Sequence, residues 1–307
     1  MTSDRPPDSH PDGRDLIGPP SQPPRSVPPP PESRHSLPPI AKHVEPGVID
    51  KAVFGIASFF AHFGHAMRMT AGALSSMWRR PFELRSTIYQ FESLGVKSMS
   101  IAALTAIFVG MVMAVQFAFG LQRFGGMEYT GRIVGVSFSR ELAPTLTSVV
   151  VGGRIASGIA AELGSMAVTE QIDAIRSLGA DPLKKLVLPR LLACTLVMPL
   201  LCSFALVLGF SGAMIITDIE FGIPSTFFLK TALTTVNFRD FYSGMFKTPF
   251  FGALIAIIGC HYGITTRGGT EGVGHSTTSA VVTTSIGILV IDFFLTKVSF
   301  LLWPAYF

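Results

Sequence analysis

Apolar positions along this chain fall into two regimes. Beyond about residue 98 they gather into five near-continuous runs: Ser98–Leu121, Ile133–Ala161, Val187–Thr217, Phe241–Thr265 and Ser279–Trp303. Each reaches the roughly 20 residues that a helix needs to cross the hydrocarbon core of a bilayer. The runs do not alternate between apolar and polar positions, which excludes a membrane β-barrel. Between residues 48 and 78 the pattern is one-sided. Val53, Ile56, Phe60, Phe63, Met67, Ala71 and Leu74 recur at helical spacing, while Ser58, His62, His65, Arg68 and Ser75 take the other side. Such a helix, with His and Arg on its polar face, is expected to lie in the membrane interface rather than span it. The predicted fold is therefore all-α and integral to the membrane, with an N-terminal interfacial helix and five transmembrane helices.

Ahead of that helix stands a different composition. Of the 22 prolines, 14 lie in residues 1–46, including the run Pro28–Pro31. Proline removes backbone donors, and there is little apolar surface to bury, so residues 1–47 are expected to form a disordered tail ahead of a membrane domain over 48–307. The tail lacks the basic start, apolar centre and small-residue cleavage site of a signal peptide, and is expected to stay cytoplasmic.

Charge refines the topology. Charged residues make up only 14% of the chain and mean hydropathy is +0.47, against about 25% charged in soluble domains. The formal charge of +4 is not gathered into a basic patch with exposed aromatics, so no nucleic-acid partner is expected and the excess reads as a topology signal. Arg79, Arg80, Arg85 and Lys97 precede the first span, and Arg176, Lys184, Lys185 and Arg190 fill the connection between the second and third. Asp218 and Glu220 follow the third. The pattern predicts a cytoplasmic N-terminus and a periplasmic C-terminus. Cys194, Cys202 and Cys260 lie in apolar runs without a CxxC pair and read as small buried hydrophobes. His62 and His65 have no acidic or Cys companion, and solvated polar-face histidines are expected rather than a metal site. No cofactor is expected. There is no GxxxxGK[ST], HExxH or GxSxG, so ATP hydrolysis by a phosphate loop and the corresponding enzyme chemistries are not expected in this chain.

Polar groups inside spans are costly and mark function or structural pairing. Arg140 and Glu141 are neighbours in the second span; their side chains diverge by about 100° on a helix, so each should meet a different partner, or water near the membrane face. Two readings stand for them: ion pairs to other spans, or the polar mouth of a substrate path. Arg154 and Glu162 follow in the same span. Asp292 in the fifth is expected to accept a hydrogen bond from a neighbouring helix rather than relay protons. Pro144, Pro199 and Pro249 interrupt three spans. Gly153, Ser157 and Ala161 form a small-residue ridge suited to close helix approach, within one subunit or between two.

The connection Glu162–Arg190 is unusually patterned. Thr169 is a candidate helix start and Gly179, with Pro182 beyond it, a stop. The short helix so bounded, about Glu170 to Leu178, is too polar to insert. Ile172, Ile175 and Leu178 form a narrow apolar edge flanked by Glu170, Gln171, Asp173 and Arg176, suited to dock into a groove on a partner.

These segments resemble the MlaE/YrbE family of permease subunits, which serve ABC transporters working with MCE-domain proteins in lipid traffic. The likeness rests on RELAP at Arg140–Pro144, GRIASGIAAELG at Gly153–Gly164, TEQIDAIRSLGADPLKKLVLPR at Thr169–Arg190 and SIGILVIDFFLT at Ser285–Thr296. Ala143 stands where the family commonly has Gly, and the proline-rich tail lies outside the resemblance. The resemblance implies a homodimer in the bacterial inner membrane, bound to two cytoplasmic ATPase subunits and open to a periplasmic MCE protein. It implies that the Glu170–Leu178 helix couples to the ATPase. It also implies a phospholipid cavity with Arg140 and Glu141 at its polar region and Phe108, Met111, Val112 and Val115 along its apolar wall. Two alternatives stand beside it: an ion-coupled secondary carrier using Glu141 and Asp292, and a non-transporting scaffold for an ATPase or MCE partner. The lack of an internal repeat weighs against the carrier.

Overall fold

A computed structural model of the chain describes residues 64–65, 67–72 and 84–302, all within one unit, Lys51–Phe307. The predicted tail lies outside the described residues, as does most of the predicted interfacial helix. The part that is described, 64–65 and 67–72, is helical.

The described residues are helical almost throughout, and five helical stretches are long and apolar enough to cross a membrane. The first is α1 (Leu84–Gln122). The second combines α2 (Thr130–Ser137), a π-helix (Phe138–Leu146) and α3 (Thr147–Val168). A short helix, α4 (Gln171–Ser177), and a π turn (Leu183–Val187) lead into α5 (Leu188–Phe221). After α6 (Ser225–Thr235) come α7 (Phe238–Ile264) and α8 (Gly269–Leu302). This is a multi-pass membrane protein.

The first and last spans begin well before their predicted bounds. At 39 residues α1 is ~58 Å long, about twice a bilayer core. It begins 14 residues before the apolar run, so Arg85 and Lys97 belong to the helix and not to a preceding loop. Likewise α8 starts at Gly269 instead of Ser279. Hydropathy marks where a helix is apolar; backbone hydrogen bonding carries it onward into water. The helix α6 was not predicted, because its eleven residues are too short to register. It exists through packing: Phe228, Thr231 and Ala232 bury themselves against Gly131 and Gly135 of α2.

The central helix is α3. It packs on α7 and α8 and touches α1, while α1 lies along α5 and α5 along α7. The main core gathers Val151, Ile155, Ile159 and Leu163 of α3, Val197 and Leu201 of α5, and Phe251 and Ile255 of α7. The close approach of α1 and α5 needs glycine on both sides. A Cβ on Gly110 would strike the Gly209 carbonyl, and one on Gly209 would enter the Phe138 ring. The predicted ridge Gly153–Ser157–Ala161 is only half the story. Gly153 does face Val281 of α8, but the tighter contact uses Ala156 and Ala160, against which Gly259 and Gly263 of α7 pack.

The spans share two ends. Residues 67–72, α4 and the π turn before α5 meet at one: Met69, Ile172 and Leu186 join a common core, and Gly72 abuts Leu183. At the other end lie α6 and the first turns of α7.

Candidate functional site

Near the α6 end, the second span changes its winding. Pro144 has no N–H to give and its ring would collide with the carbonyl four residues back, and the chain relaxes into a π-helix over Phe138–Leu146. The extra residue per turn re-aims Arg140 and Glu141. Across from it, Gly244 of α7 sits so close that a Cβ there would meet the Ser139 carbonyl. One turn further along α7 is Lys247. Its neighbour Pro249 frees the Met245 carbonyl, and the Thr248 hydroxyl donates to that carbonyl at 2.8 Å.

These backbones converge on a buried network. Lys247 Nζ, on a side chain only 1% exposed, donates to Glu141 Oε2 at 2.7 Å, Asp292 Oδ1 at 3.1 Å and Thr296 Oγ1 at 2.7 Å. All three ammonium donors are thus engaged. The single proton of Thr296 has its nearer acceptor in the Asp292 carbonyl at 2.8 Å, with Glu141 Oε1 at 3.3 Å. Beside it, Arg140 Nε donates to Asp240 Oδ1 at 2.7 Å, and its guanidinium lies 6.0 Å from the Phe300 ring centroid. Asp240 is itself fixed, because it closes a capping box with Asn237 at the start of α7.

The expectation that Arg140 and Glu141 serve different partners holds, as does hydrogen-bond acceptance by Asp292. Sequence reading missed Lys247, Asp240 and Thr296. A lysine in the middle of an apolar run was itself a signal, since such a charge is tolerated only when paired. The network is sealed inside and open outside: the Glu141 side chain is 40% exposed and Arg140 34%, against 1% for Lys247. The open face continues from Leu146, at the end of the π-helix, along α3 through Val150, Arg154, Gly158 and Glu162.

Of the four wall residues on α1, Phe108 and Val112 lie on its exposed face, and Met111 and Val115 are half-buried. Their neighbour Val109 makes the inward contact, packing on Phe138, Ala143 and Leu206. The structure thus brings α1 alongside the π-helix but leaves Phe108 and Val112 pointing outward.

The docking segment differs from its predicted form in two ways. Thr169 does not start the helix. It ends α3, its hydroxyl donating to the Ser165 carbonyl at 2.8 Å, and Glu170 then turns the chain in the left-handed region at φ 59°. The helix is therefore Gln171–Ser177, with Glu170 and Leu178 just outside it. Gly179 ends it as predicted, at φ 77°, with Ala180 N–H donating to Ile175 O and Gly179 N–H to Arg176 O. Second, the apolar edge does not face outward. Ile172 is buried in the protein's own core and Ile175 packs against it, because the αL turn rolls that edge onto Leu186 and Met69. What remains exposed is Glu170, Gln171, Asp173, Arg176 and Leu178, with Asp173 and Arg176 paired at 3.1 Å.

The root of this excursion is clamped. Arg190, predicted as a loop cation, is buried. Its Nη2 meets Glu162 Oε1 at 2.6 Å and its Nη1 donates to Leu186 O at 2.7 Å. The pair ties the last turns of α3 to the first turn of α5. All three cysteines are buried and unbridged.

Residues 87–298 match the family model described as Permease MlaE. A probable ABC transporter permease protein of Synechocystis is 44% identical over 216 residues, covering 70% of this chain and 82% of its own. The chloroplastic protein TRIGALACTOSYLDIACYLGLYCEROL 1 of Arabidopsis thaliana is 42% identical over 216 residues. There the match covers 70% of this chain but 62% of that protein's length. A probable ABC transporter permease protein of Rickettsia typhi is 37% identical over 228 residues, covering 74% of this chain and 88% of its own.

Proposed function

The chain belongs to the MlaE permease family, and on that premise we propose that it is the membrane subunit of an ATP-driven lipid transporter. The observation that carries this reading is the charged network of Glu141, Lys247 and Asp292, buried at its root and open along one side of the second span. An apolar membrane surface interrupted by a fixed, paired set of charges suits a molecule with acyl chains and a polar headgroup. Glu141 and Arg140 meet the headgroup; the exposed apolar face of α1, with Phe108 and Val112, lies against the chains. A second copy of the chain closes the open side and completes the cavity.

ATP is bound and hydrolysed by a separate cytoplasmic subunit. It docks on the polar surface of α4, where Glu170, Gln171, Asp173, Arg176 and Leu178 stand exposed. Ile172 and Ile175 transmit the push, because they root α4 in the core. The α4 end is then cytoplasmic and the α6 end faces a periplasmic MCE protein in a bacterial inner membrane. An ion-coupled carrier has less support, since its two carboxylates, Glu141 and Asp292, are both already bonded to Lys247. A non-transporting scaffold gives no reason for buried charges that open sideways.

The test is co-expression with an ABC ATPase and an MCE protein from the same genome, followed by purification in mild detergent and reconstitution. The expected result is a complex carrying phospholipid and moving it on ATP addition, with transport lost in Glu141→Ala while assembly persists. A permease that retains full transport in Glu141→Ala refutes the assignment of the cavity.

A further inference from the structure

Arg154 lies on the open face of α3, remote from the Lys247 network. Its Nη1 donates to Ser98 Oγ of α1 at 2.7 Å, and the buried Ser98 hydroxyl in turn donates to Leu94 O at 2.6 Å. Among the described residues no carboxylate lies within ion-pair distance of Arg154. Arg154 is exposed on this face, and the bond to Ser98 engages only one of its donors. An arginine has five N–H donors and cannot lose its charge in a protein. On a membrane-spanning helix such a charge is costly unless it is paired or hydrated, and with no carboxylate beside it among the described residues an anion from outside the chain suits it.

The level of Arg154 in the membrane indicates which anion. The apolar run of α1 begins at Ser98, directly after the exposed Lys97. Ser98 therefore marks where α1 passes from headgroups into hydrocarbon on the α4 side. The bond to Ser98 holds the guanidinium at that level and keeps it from reaching freely toward water. Glu141 lies 13 residues earlier along the same span, toward the other end. Between the two, the same face shows only apolar side chains, Leu146 and Val150, 37% and 40% exposed. Next to Arg154 there is room, since a Cβ on Gly158 would meet nothing within 4 Å.

We propose that Arg154, steadied by Ser98, binds the phosphate of a phospholipid headgroup at the α4 end of the open face. It forms a second polar station, separated from the Glu141 network by an apolar stretch. Arg140 at the far station shares its charge with Asp240, whereas Arg154 has no carboxylate partner among the described residues and offers its full charge to a ligand. This inference rests on the lipid-transport reading and adds to it the point at which a headgroup of the α4-side leaflet is held.

The experiment uses the full complex with its ATPase, in wild-type form and as Arg154→Lys and Arg154→Gln. Gln keeps a donor for Ser98, and Lys keeps the charge. Each is reconstituted in nanodiscs of phosphatidylcholine doped with phosphatidylglycerol, extracted into mild detergent, and its retained phospholipid counted by native mass spectrometry. The expected result is a loss of retained phospholipid on the order of 10-fold in Arg154→Gln, the weight of one charge-assisted hydrogen bond, with near-normal retention in Arg154→Lys. Calorimetry with inorganic phosphate on delipidated protein separates the two sources of the anion. Phosphate binding that depends on Arg154, with equal phospholipid retention in all three forms, overturns the headgroup assignment. Equal retention and no phosphate binding overturn the site altogether. A wild-type complex that neither retains nor moves lipid refutes the transport reading instead, so the two failures are distinct.

Discussion

Replacing Lys247 by methionine keeps the length and removes a charge that bonds to groups on two other helices. In the folded protein the ammonium bridges Glu141 of the π-helix with Asp292 and Thr296 of α8. Removing one partner of a buried ion pair costs roughly 3–5 kcal/mol, mostly because the remaining charge is left without a counter-ion. Here that figure is reduced on one side. Glu141 is 40% exposed and can turn toward the open face, whereas Asp292, 16% exposed, stays behind. A net loss of about 2–4 kcal/mol is therefore expected. Asp292→Asn in the same chain removes the stranded charge, so the double variant should recover at least half of that loss. The assay is unfolding of the purified permease in mixed micelles, followed by far-UV circular dichroism as denaturing detergent is titrated. A Lys247→Met protein within about 0.5 kcal/mol of wild type, or a double variant whose losses simply add, refutes the idea that these groups act as one unit.

Three further outcomes follow from the same geometry. Gly244→Ala places a methyl against the Ser139 carbonyl and should destabilise the fold by about 1–3 kcal/mol while loosening the Glu141–Lys247 contact, read by the same titration. Ile172→Ala should lower the stability of the isolated permease by about 2–5 kcal/mol, whereas Leu178→Ala, at a side chain 85% exposed, should leave stability unchanged and weaken only co-purification of the ATPase. Glu170→Gly removes a left-handed strain of order 1 kcal/mol, so the permease should be as stable as wild type or slightly more so; retained ATPase binding in that variant would show that the carboxylate is not part of the docking surface.

Much of the molecule was readable from the chain. The spans were, because hydrophobicity is a property of each residue and crossing a bilayer demands it continuously. The end of α4 was, because Gly179 supplies a local left-handed turn that few other residues adopt readily. Thr169 misled because a threonine that ends one helix looks the same in sequence as one that begins the next. Arg190 misled because a basic residue beside a span reads as a topology signal until a carboxylate is found beside it.

Local composition accounts for the apolar runs, their order, and the family motifs that mark Arg140–Pro144 and Gly153–Gly164. Partnership and facing were decided only in three dimensions. Glu141 meets a lysine 106 residues away because Gly244 lets α7 press against the π-helix opened by Pro144. The apolar edge of α4 turns inward because Glu170 takes a left-handed backbone. Neither follows from local pattern, since the direction a side chain points within a bundle is fixed by how closely its neighbours' backbones can approach.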